Sequence, residues 1–162
     1  TWMGAHAKFI AVYETPFWRD AGLSGDASSR RGPLAAIHDA SPRDAGLGAL
    51  FGFVGLPAEV RAQIGDTLEQ ACIDQLTNLF GVEAGQPIAV CLEDWSKEPL
   101  TATHADATPP PGHPPYNMLP ELMGLWDDQL IFAVTELSPD NGGLIEGALA
   151  AAEYAAKAIL AN

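Results

Sequence analysis

One lysine stands out in this sequence because it lies inside an otherwise apolar segment. Residues 6–13 (HAKFIAVY) alternate as a β-strand does, and Lys8 falls on the face opposite Phe9, beside Ile10. Two interpretations are open. The lysine lies at the edge of a sheet with its ammonium in water, or it lies in a cavity as a hydrogen-bond donor to a bound group.

A second candidate is the segment 130–148, which combines a strand pattern, a glycine-rich turn and a helix. The apolar run LIFAVT leads to Asn141-Gly-Gly143, and an alanine-rich helix follows. The N-terminus of a helix carries a partial positive charge and free N–H groups, so it can face an anion or an electron-rich ring oxygen. Strand-turn-helix units without any ligand are also common, and both interpretations stay open.

Other familiar chemistries lack their patterns. The four histidines show no metal-ligand spacing, so no metal site is expected. No G-x-S-x-G motif is present, which leaves a hydrolytic triad unsupported. Gly46-x-Gly48-x-x-x-Gly52 has the wrong spacing for a dinucleotide loop, and we interpret it as part of a glycine-bearing strand.

Composition narrows the class of protein further. The chain has 162 residues, of which 48% are hydrophobic and 18% charged, as expected for one globular domain. The net charge of -13 argues against nucleic acid and against a polybasic membrane anchor, and no apolar run approaches the about 18 to 20 residues of a membrane span. Two cysteines are too few for a disulfide framework, so we expect a cytoplasmic protein. The chain begins with Thr1, and we expect a piece of something longer.

The periodicity predicts an α+β fold, with a mixed, partly antiparallel sheet and two main helices. Strands are predicted over residues 6–13, 34–38, 48–54, 87–93 and 130–135. Helices are predicted over residues 57–64, from the capping box Asp66-x-x-Glu69 to a stop at Gly81, and over residues 144–161. Residues 20–33 are predicted to form turns or a hairpin, and the proline-rich residues 97–116 are predicted to form an extended loop.

Several ordered blocks of the sequence together resemble the flavin-containing amine oxidases. The blocks are residues 8–19 (KFIAVYETPFWR), 48–55 (GALFGFVG), Phe80-Gly81, Asp94-Trp95 and 132–148 (FAVTELSPDNGGLIEGA). The resemblance extends over almost the whole chain and is to the C-terminal part of these enzymes. Thr101, Ala102 and Asp106, followed by His113-Pro114-x-Tyr116, are similar to the bacterial branch.

The resemblance implies a particular part of a larger fold. Members of this family combine an FAD-binding domain, which opens with G-x-G-x-x-G, with a substrate domain built on a mixed sheet and packed helices. Nothing here matches the opening loop. The chain is therefore interpreted as a single domain over residues 1–162, with residues 1–127 from the substrate domain and residues 128–162 forming the final FAD-binding strand, turn and helix.

The resemblance also implies roles for individual residues. Lys8 would be the lysine that holds a water near flavin N5, and Trp95 would flank the isoalloxazine. The implied flavin-binding set at the last helix is Val134, Thr135, Glu136, Gly143, Leu144 and Ile145. The implied substrate-pocket set is Ala36, His38, Phe53, His104 and Ala105.

The sequence departs from the family pattern at four of these positions. Val134 stands where the family has glycine, and a side chain there could crowd the cofactor. His104 stands where monoamine oxidases have the cysteine that tethers flavin, so FAD is expected to be held non-covalently. Ala105 and Leu144 replace the two cage tyrosines, so no aromatic cage is expected.

Two functions follow from the resemblance. In the first, the chain oxidises a small amine to an imine with FAD and O₂, but only when an N-terminal FAD-binding half or a separate subunit completes it. In the second, it is a flavin-free interaction or regulatory module of the same ancestry, which self-associates.

Overall fold

The computed structural model describes residues 5–44, 46–107, 122, 125–127 and 129–161. The chain divides into one compact unit over residues 3–109 and a second over residues 110–162. The assignment of residues 1–127 and 128–162 to two parts of one amine oxidase domain stays a prediction.

A five-stranded sheet forms the centre of the first unit. Its strands are β1 (Ala7–Tyr13), β2 (Ala27–Ser28), β3 (Leu34–Asp39), β4 (Gly48–Val54) and β5 (Ala89–Asp94). Their order is β2-β3-β4-β1-β5, and every pairing among these described strands is antiparallel. The predicted α+β class is confirmed.

Three helices accompany this sheet. They are α1 (Phe17–Asp20), α2 (Ala58–Ile64) and α3 (Thr67–Phe80). Helix α3 contributes Leu68, Cys72 and Leu76 to a buried cluster that also contains Phe9 and Tyr13 from β1. Since β1 alternates buried and exposed residues, α3 covers one face of the strand, and the other face, which we call the open face, is left exposed by the residues that the structure describes.

A buried glutamine fastens α3 to β3. The side chain of Gln75 accepts from the Leu34 backbone N–H at 2.7 Å and donates from Nε2 to the Leu34 carbonyl at 2.8 Å. These bonds satisfy backbone groups beside a bulge between Leu34 and Ala36. The sheet is therefore held to α3 by polar contacts as well as by apolar packing.

The second unit contains the long helix α4 (Ile145–Leu160), which follows a 3₁₀ turn at Thr135–Leu137. Gly147, Ala151 and Ala155 form the buried face of α4. A Cβ at Gly147 would collide with the Asn141 carbonyl oxygen, so only glycine lets the helix pass this close to the preceding turn.

Most predicted elements are confirmed, with shifts of one or two residues at their ends. These are the strands at 6–13, 34–38, 48–54 and 87–93, the turns at 20–33, and the helices at 57–64, 67–80 and 144–161. Gly48 and Gly52 lie on β4, as the strand interpretation requires. The loop predicted over residues 97–116 begins with 3₁₀ turns at Trp95–Lys97 and His104–Ala107, and its residues 108–116 lie outside the described residues.

The predicted capping box before α3 is wrong. Asp66 has helical dihedral angles (φ -64°, ψ -15°) and its side chain makes no capping hydrogen bond. The backbone supplies the cap instead, since the Leu68 N–H donates to the Gly65 carbonyl at 3.1 Å. Gly65, at φ 60°, provides the turn that makes this possible.

The strand predicted over residues 130–135 is also wrong. Residues 130–134 have no regular structure, although Val134 is extended at φ -118° and ψ 148°. A β-strand is defined by its pairing, and no described strand pairs with this segment. A local apolar pattern cannot by itself provide the neighbouring strand that pairing requires.

Candidate functional site

The open face of the sheet brings four predicted site residues together. Cross-strand pairing sets Ala36 opposite Phe53, and Phe53 opposite Lys8. His38 lies in the adjacent row, opposite Phe51. Because side chains two residues apart share a face, Lys8, Ala36, His38 and Phe53 all project on the side away from α3. The structure therefore gathers the predicted catalytic lysine and three predicted pocket residues on one surface.

Lys8 lies on an interior strand, since β1 pairs with β4 on one side and β5 on the other. The edge-strand interpretation of this lysine is therefore wrong. Its side chain is exposed, and Nζ lies 4.9 Å from the ring centroid of Phe53 and 5.9 Å from that of Phe51. Both distances lie within the range of a cation–π contact, so the two phenylalanines hold the ammonium over the open face.

His38 introduces a second polar group on this face. Its Nδ1 lies 2.9 Å from Oδ1 of Asp26, and both side chains are substantially exposed. The ring of His38 also lies 5.2 Å from that of Phe51, between centroids. The open face is thus an aromatic surface with one ammonium, one imidazole–carboxylate pair and the exposed carboxylate of Glu93, which cross-strand pairing sets opposite Lys8.

Trp95 directly follows β5 and is 44% exposed. Its backbone N–H donates to the His6 carbonyl at 3.0 Å, which joins it to the segment just before β1. Cross-strand pairing sets Ala7 opposite Asp94. Trp95 and Lys8 therefore lie at the same end of the sheet.

A buried ion pair underlies this end of the sheet. Arg61 of α2 is 2% exposed and donates to both carboxylate oxygens of Asp94, from Nε at 2.8 Å and from Nη2 at 2.6 Å. Burial disfavours the charged Asp94 carboxylate, but hydrogen bonds from Arg61 and Ser96 outweigh it and lower the pKa of Asp94. The pair is therefore ionised at neutral pH.

The start of α4 gathers the predicted flavin-binding residues of the second unit. The Thr135 hydroxyl donates to the Leu144 carbonyl at 2.8 Å, which ties the 3₁₀ turn at 135–137 to the helix N-terminus. Gly143 has φ 80°, a conformation that favours glycine. The structure thus brings Thr135, Gly143 and Leu144 together, as the resemblance implies.

The side chains around this helix start suit a flat aromatic group. Val134, Leu144 and Ile145 are 45%, 58% and 81% exposed. Apolar side chains at a helix N-terminus can pack on a ring, and the N–H groups there can donate to its oxygens. Val134 has an ordinary extended backbone, so the absence of glycine there causes no backbone strain. The residues present therefore fit an isoalloxazine.

The remaining predicted pocket residues lie outside the sheet that carries the open-face cluster. His104 and Ala105 are exposed in the 3₁₀ turn at 104–107. The nearby Asp106 carboxylate accepts from the backbone N–H and the hydroxyl of Thr103, at 2.8 Å and 2.7 Å. The His113-Pro114-x-Tyr116 pattern lies outside the described residues.

Sequence reasoning missed Arg61 entirely. An arginine in a short amphipathic helix is ordinarily a surface residue, and no periodicity distinguishes this one. The sequence distinguishes Arg61 only as one of few positively charged residues in an acidic chain.

The described part of the chain offers neither a metal centre nor a membrane span. No group of three or more histidine, cysteine, aspartate or glutamate side chains could hold a metal ion there. No helix in that part has both the length and the apolar character needed to cross a bilayer.

Comparison with known proteins identifies the family of this chain. The model of the family described as flavin containing amine oxidoreductase matches residues 1–160. The chain therefore belongs to the flavin containing amine oxidoreductase family.

Individual relatives cover nearly all of this chain. AofH of Mycobacterium tuberculosis carries the name of a flavin-containing monoamine oxidase. It is 34% identical to this chain, over 98% of this chain and 34% of its own length. Amine oxidase [flavin-containing] B of Rattus norvegicus is 28% identical over 98% of this chain and 31% of its own length. The chain thus spans about a third of the length of these relatives.

Solved structures support the fold. Cyclohexylamine oxidase from Brevibacterium oxydans superposes with a TM-score of 0.69 at 26% identity, over 96% of this chain and 35% of that one. A putrescine oxidase triple mutant superposes with a TM-score of 0.70 at 21% identity, over 98% and 36% of the two chains.

Proposed function

We propose that this chain is the C-terminal portion of an FAD-dependent amine oxidase, active only when an N-terminal FAD-binding half completes it. The observation that most directly supports this proposal is the open sheet face, which gathers Lys8, Ala36, His38 and Phe53 on one surface. Membership of the flavin amine oxidoreductase family and coverage of only about a third of its relatives support this proposal.

The open face would bind the amine. The rings of Phe51 and Phe53 offer apolar surface to the carbon chain of the substrate. Lys8 would hold a water molecule with its ammonium, and His38 would line the pocket beside it. The backbone beneath these side chains is fixed by strand pairing on both sides, so the surface is pre-formed.

The second unit would hold the flavin ring non-covalently. Val134, Leu144 and Ile145 would pack on the ring, and the N–H groups at the start of α4 would face its oxygens. Thr135 and Glu136 would line it from the 3₁₀ turn. The family resemblance alone assigns Trp95, in the first unit, to the same cofactor. When bound, FAD would supply the redox chemistry, by which the amine loses two electrons and two protons to become an imine and O₂ is reduced to H₂O₂.

The partner would be the remaining part of the family fold, on the same or a separate chain. One exposed stripe of α4 supports this. The stripe consists of Ile145, Leu149, Ala152, Ala156 and Ile159, all exposed and spaced to share one helix face. A surface helix does not need such a stripe, so we infer that a protein surface covers it. A reducing, cytoplasmic setting of bacterial type belongs to the proposal, since Cys72 and Cys91 are free thiols.

Flavin retention tests the proposal. The chain would be purified alone, and also after co-expression with the N-terminal two thirds of a homologous amine oxidase. We expect the isolated chain to be colourless, because it lacks a dinucleotide-binding loop, and the complex to retain about one flavin per chain. A colourless complex, or an isolated chain with stoichiometric flavin, would contradict the proposal.

A flavin-free interaction module is the second candidate, and the α4 stripe also favours it. In that case two copies of this chain would bury the stripe against each other. The same co-expression separates the two functions. A module would remain a self-associated, colourless protein and would not take up the N-terminal half.

A further inference from the structure

We propose that Arg61 is a positioning residue for Trp95, holding it through Asp94 and Ser96 at the end of the sheet that carries Lys8. The role assigned to Trp95 beside the flavin rests on the proposed function, but the contacts that hold it do not.

Arg61 connects three separate segments of the first unit. Its Nη1 donates to the Leu56 carbonyl at 2.6 Å, just after β4. Its Nη2 donates to the Ala5 carbonyl at 2.8 Å, just before β1. Its Nε and Nη2 also donate to the Asp94 carboxylate, which lies at the end of β5. One side chain therefore clamps the ends of three neighbouring strands.

Asp94 passes this constraint to the turn that contains Trp95. Its Oδ1 accepts from the Ser96 backbone N–H at 3.1 Å and from the Ser96 hydroxyl at 2.6 Å. The Ser96 hydroxyl oxygen also accepts from Arg61 Nη2 at 3.3 Å. Both sequence neighbours of Trp95 are thus fixed by hydrogen bonds, since Asp94 is bonded to Arg61 and Ser96 is bonded to Asp94.

The geometry suggests a specific role beyond stability. Well-packed apolar side chains can often replace a buried ion pair without loss of stability. Filling the buried space therefore does not by itself require the ion pair. Trp95 is 44% exposed, so its own packing constrains it only in part. The bidentate fork of Arg61 supplies directional bonds that a lysine or an apolar group cannot reproduce.

Fluorine NMR of the full chain labelled with fluorotryptophan tests this role. Trp95→Phe and Trp18→Phe identify two of the lines, and the line of the fully buried Trp18 reports whether the unit is folded. We expect Arg61→Lys to leave the Trp18 line in place and to broaden the Trp95 line roughly twofold, because the tryptophan then exchanges between positions on the microsecond-to-millisecond timescale. Arg19→Lys is the matched control, since Arg19 pairs with Asp39 at 2.8 Å beside Trp18.

A Trp95 line in Arg61→Lys that is as sharp as in Arg19→Lys would overturn the proposal. If the Trp18 line is lost in Arg61→Lys, the unit is unfolded in that variant. The double variant Arg61→Met with Asp94→Leu is then measured instead. A retained Trp18 line with a broadened Trp95 line supports positioning, and a sharp Trp95 line overturns it. Loss of the Trp18 line there as well would show the pair to be a folding element and would also overturn it. No flavin enters the measurement, so its result is independent of the proposed function.

Discussion

Lys8 and Phe53 are direct cross-strand partners, and Nζ of the lysine lies 4.9 Å from the centroid of the phenylalanine ring. This relationship explains how an ammonium can stand on an apolar strand face. The ring attracts the charge electrostatically while the nitrogen remains open to water. An exposed contact of this kind is worth about 0.5–1 kcal/mol, so it orients the lysine without making the fold depend on it.

Lys8→Met should separate a catalytic role from a structural one. The methionine keeps the apolar stem, so we expect the free energy of unfolding to change by no more than about 1 kcal/mol. In the completed enzyme we expect the reaction of reduced flavin with O₂ to slow on the order of 100-fold, as when a positioned proton-handling group is lost. Stopped-flow absorbance measures this rate.

Lys157→Met is the control, because Lys157 is 80% exposed on α4. It should leave the reoxidation rate unchanged. A Lys8→Met rate equal to that of this control would leave Lys8 as an ordinary strand residue.

Leu149→Glu should weaken self-association of the isolated chain. Leu149 lies in the middle of the α4 stripe and is 56% exposed. Burying a leucine contributes about 1.5–3 kcal/mol, so the dissociation constant should rise roughly ten- to hundredfold. Light scattering over a range of concentrations measures it.

Val82→Glu is the matched control, since Val82 is 77% exposed in the other unit. It should leave association unchanged. A wild-type chain that stays strictly monomeric at all concentrations would show that the stripe does not mediate self-association.

The two cysteines should differ sharply in reactivity. Cys91 is exposed on the open sheet face opposite Ile10. Burial, with a smaller effect of Glu69, raises the pKa of the Cys72 thiol to about 12. We expect a thiol reagent to modify Cys91 at once and Cys72 only in denaturant. Fast modification in Cys91→Ala would show that the core around Cys72 is open.

Acid should destabilise the first unit through Asp39. Burial disfavours ionisation of this carboxylate, but hydrogen bonds from Ser41, Trp18 and Arg19 outweigh it and lower the pKa from 3.8 to about 2. Because the folded state binds its proton less readily than the unfolded state, this stabilisation is complete above the unfolded pKa. It is lost as the pH falls from about 4 through about 2.

Asp39→Asn should reduce the fall in unfolding free energy over this pH range, measured by urea denaturation. Asp26→Asn is the control, at a carboxylate that is 61% exposed. An acid response in Asp39→Asn as steep as in the control would contradict the assignment.

Periodicity in the sequence predicts the elements that depend on a local pattern and fails where a neighbouring strand decides. Alternation in residues 6–13 was enough to place Lys8 on the face opposite Phe9, and the structure agrees. The continuous apolar run at residues 130–135 also predicts a strand, yet no described strand pairs with it. Pairing is a tertiary property that a local pattern cannot contain.

The residues of the site also divide into those that the sequence indicates and one that it does not. The family resemblance named Ala36, His38, Phe53 and Lys8, and antiparallel register brings them onto one surface. Arg61 was not predictable, because its role comes from contacts with residues up to 56 positions away in the sequence. A buried cation in a short helix is recognisable only when its partners are in place.

Addition of an amine, without oxygen, to this chain completed by the N-terminal part of a homologous amine oxidase tests the proposed amine oxidation. The visible absorbance of the bound flavin would be recorded before and after the addition. We predict that a small primary or secondary amine bleaches the flavin and that air restores the colour. A complex that binds flavin and shows no bleaching with any such amine would contradict it.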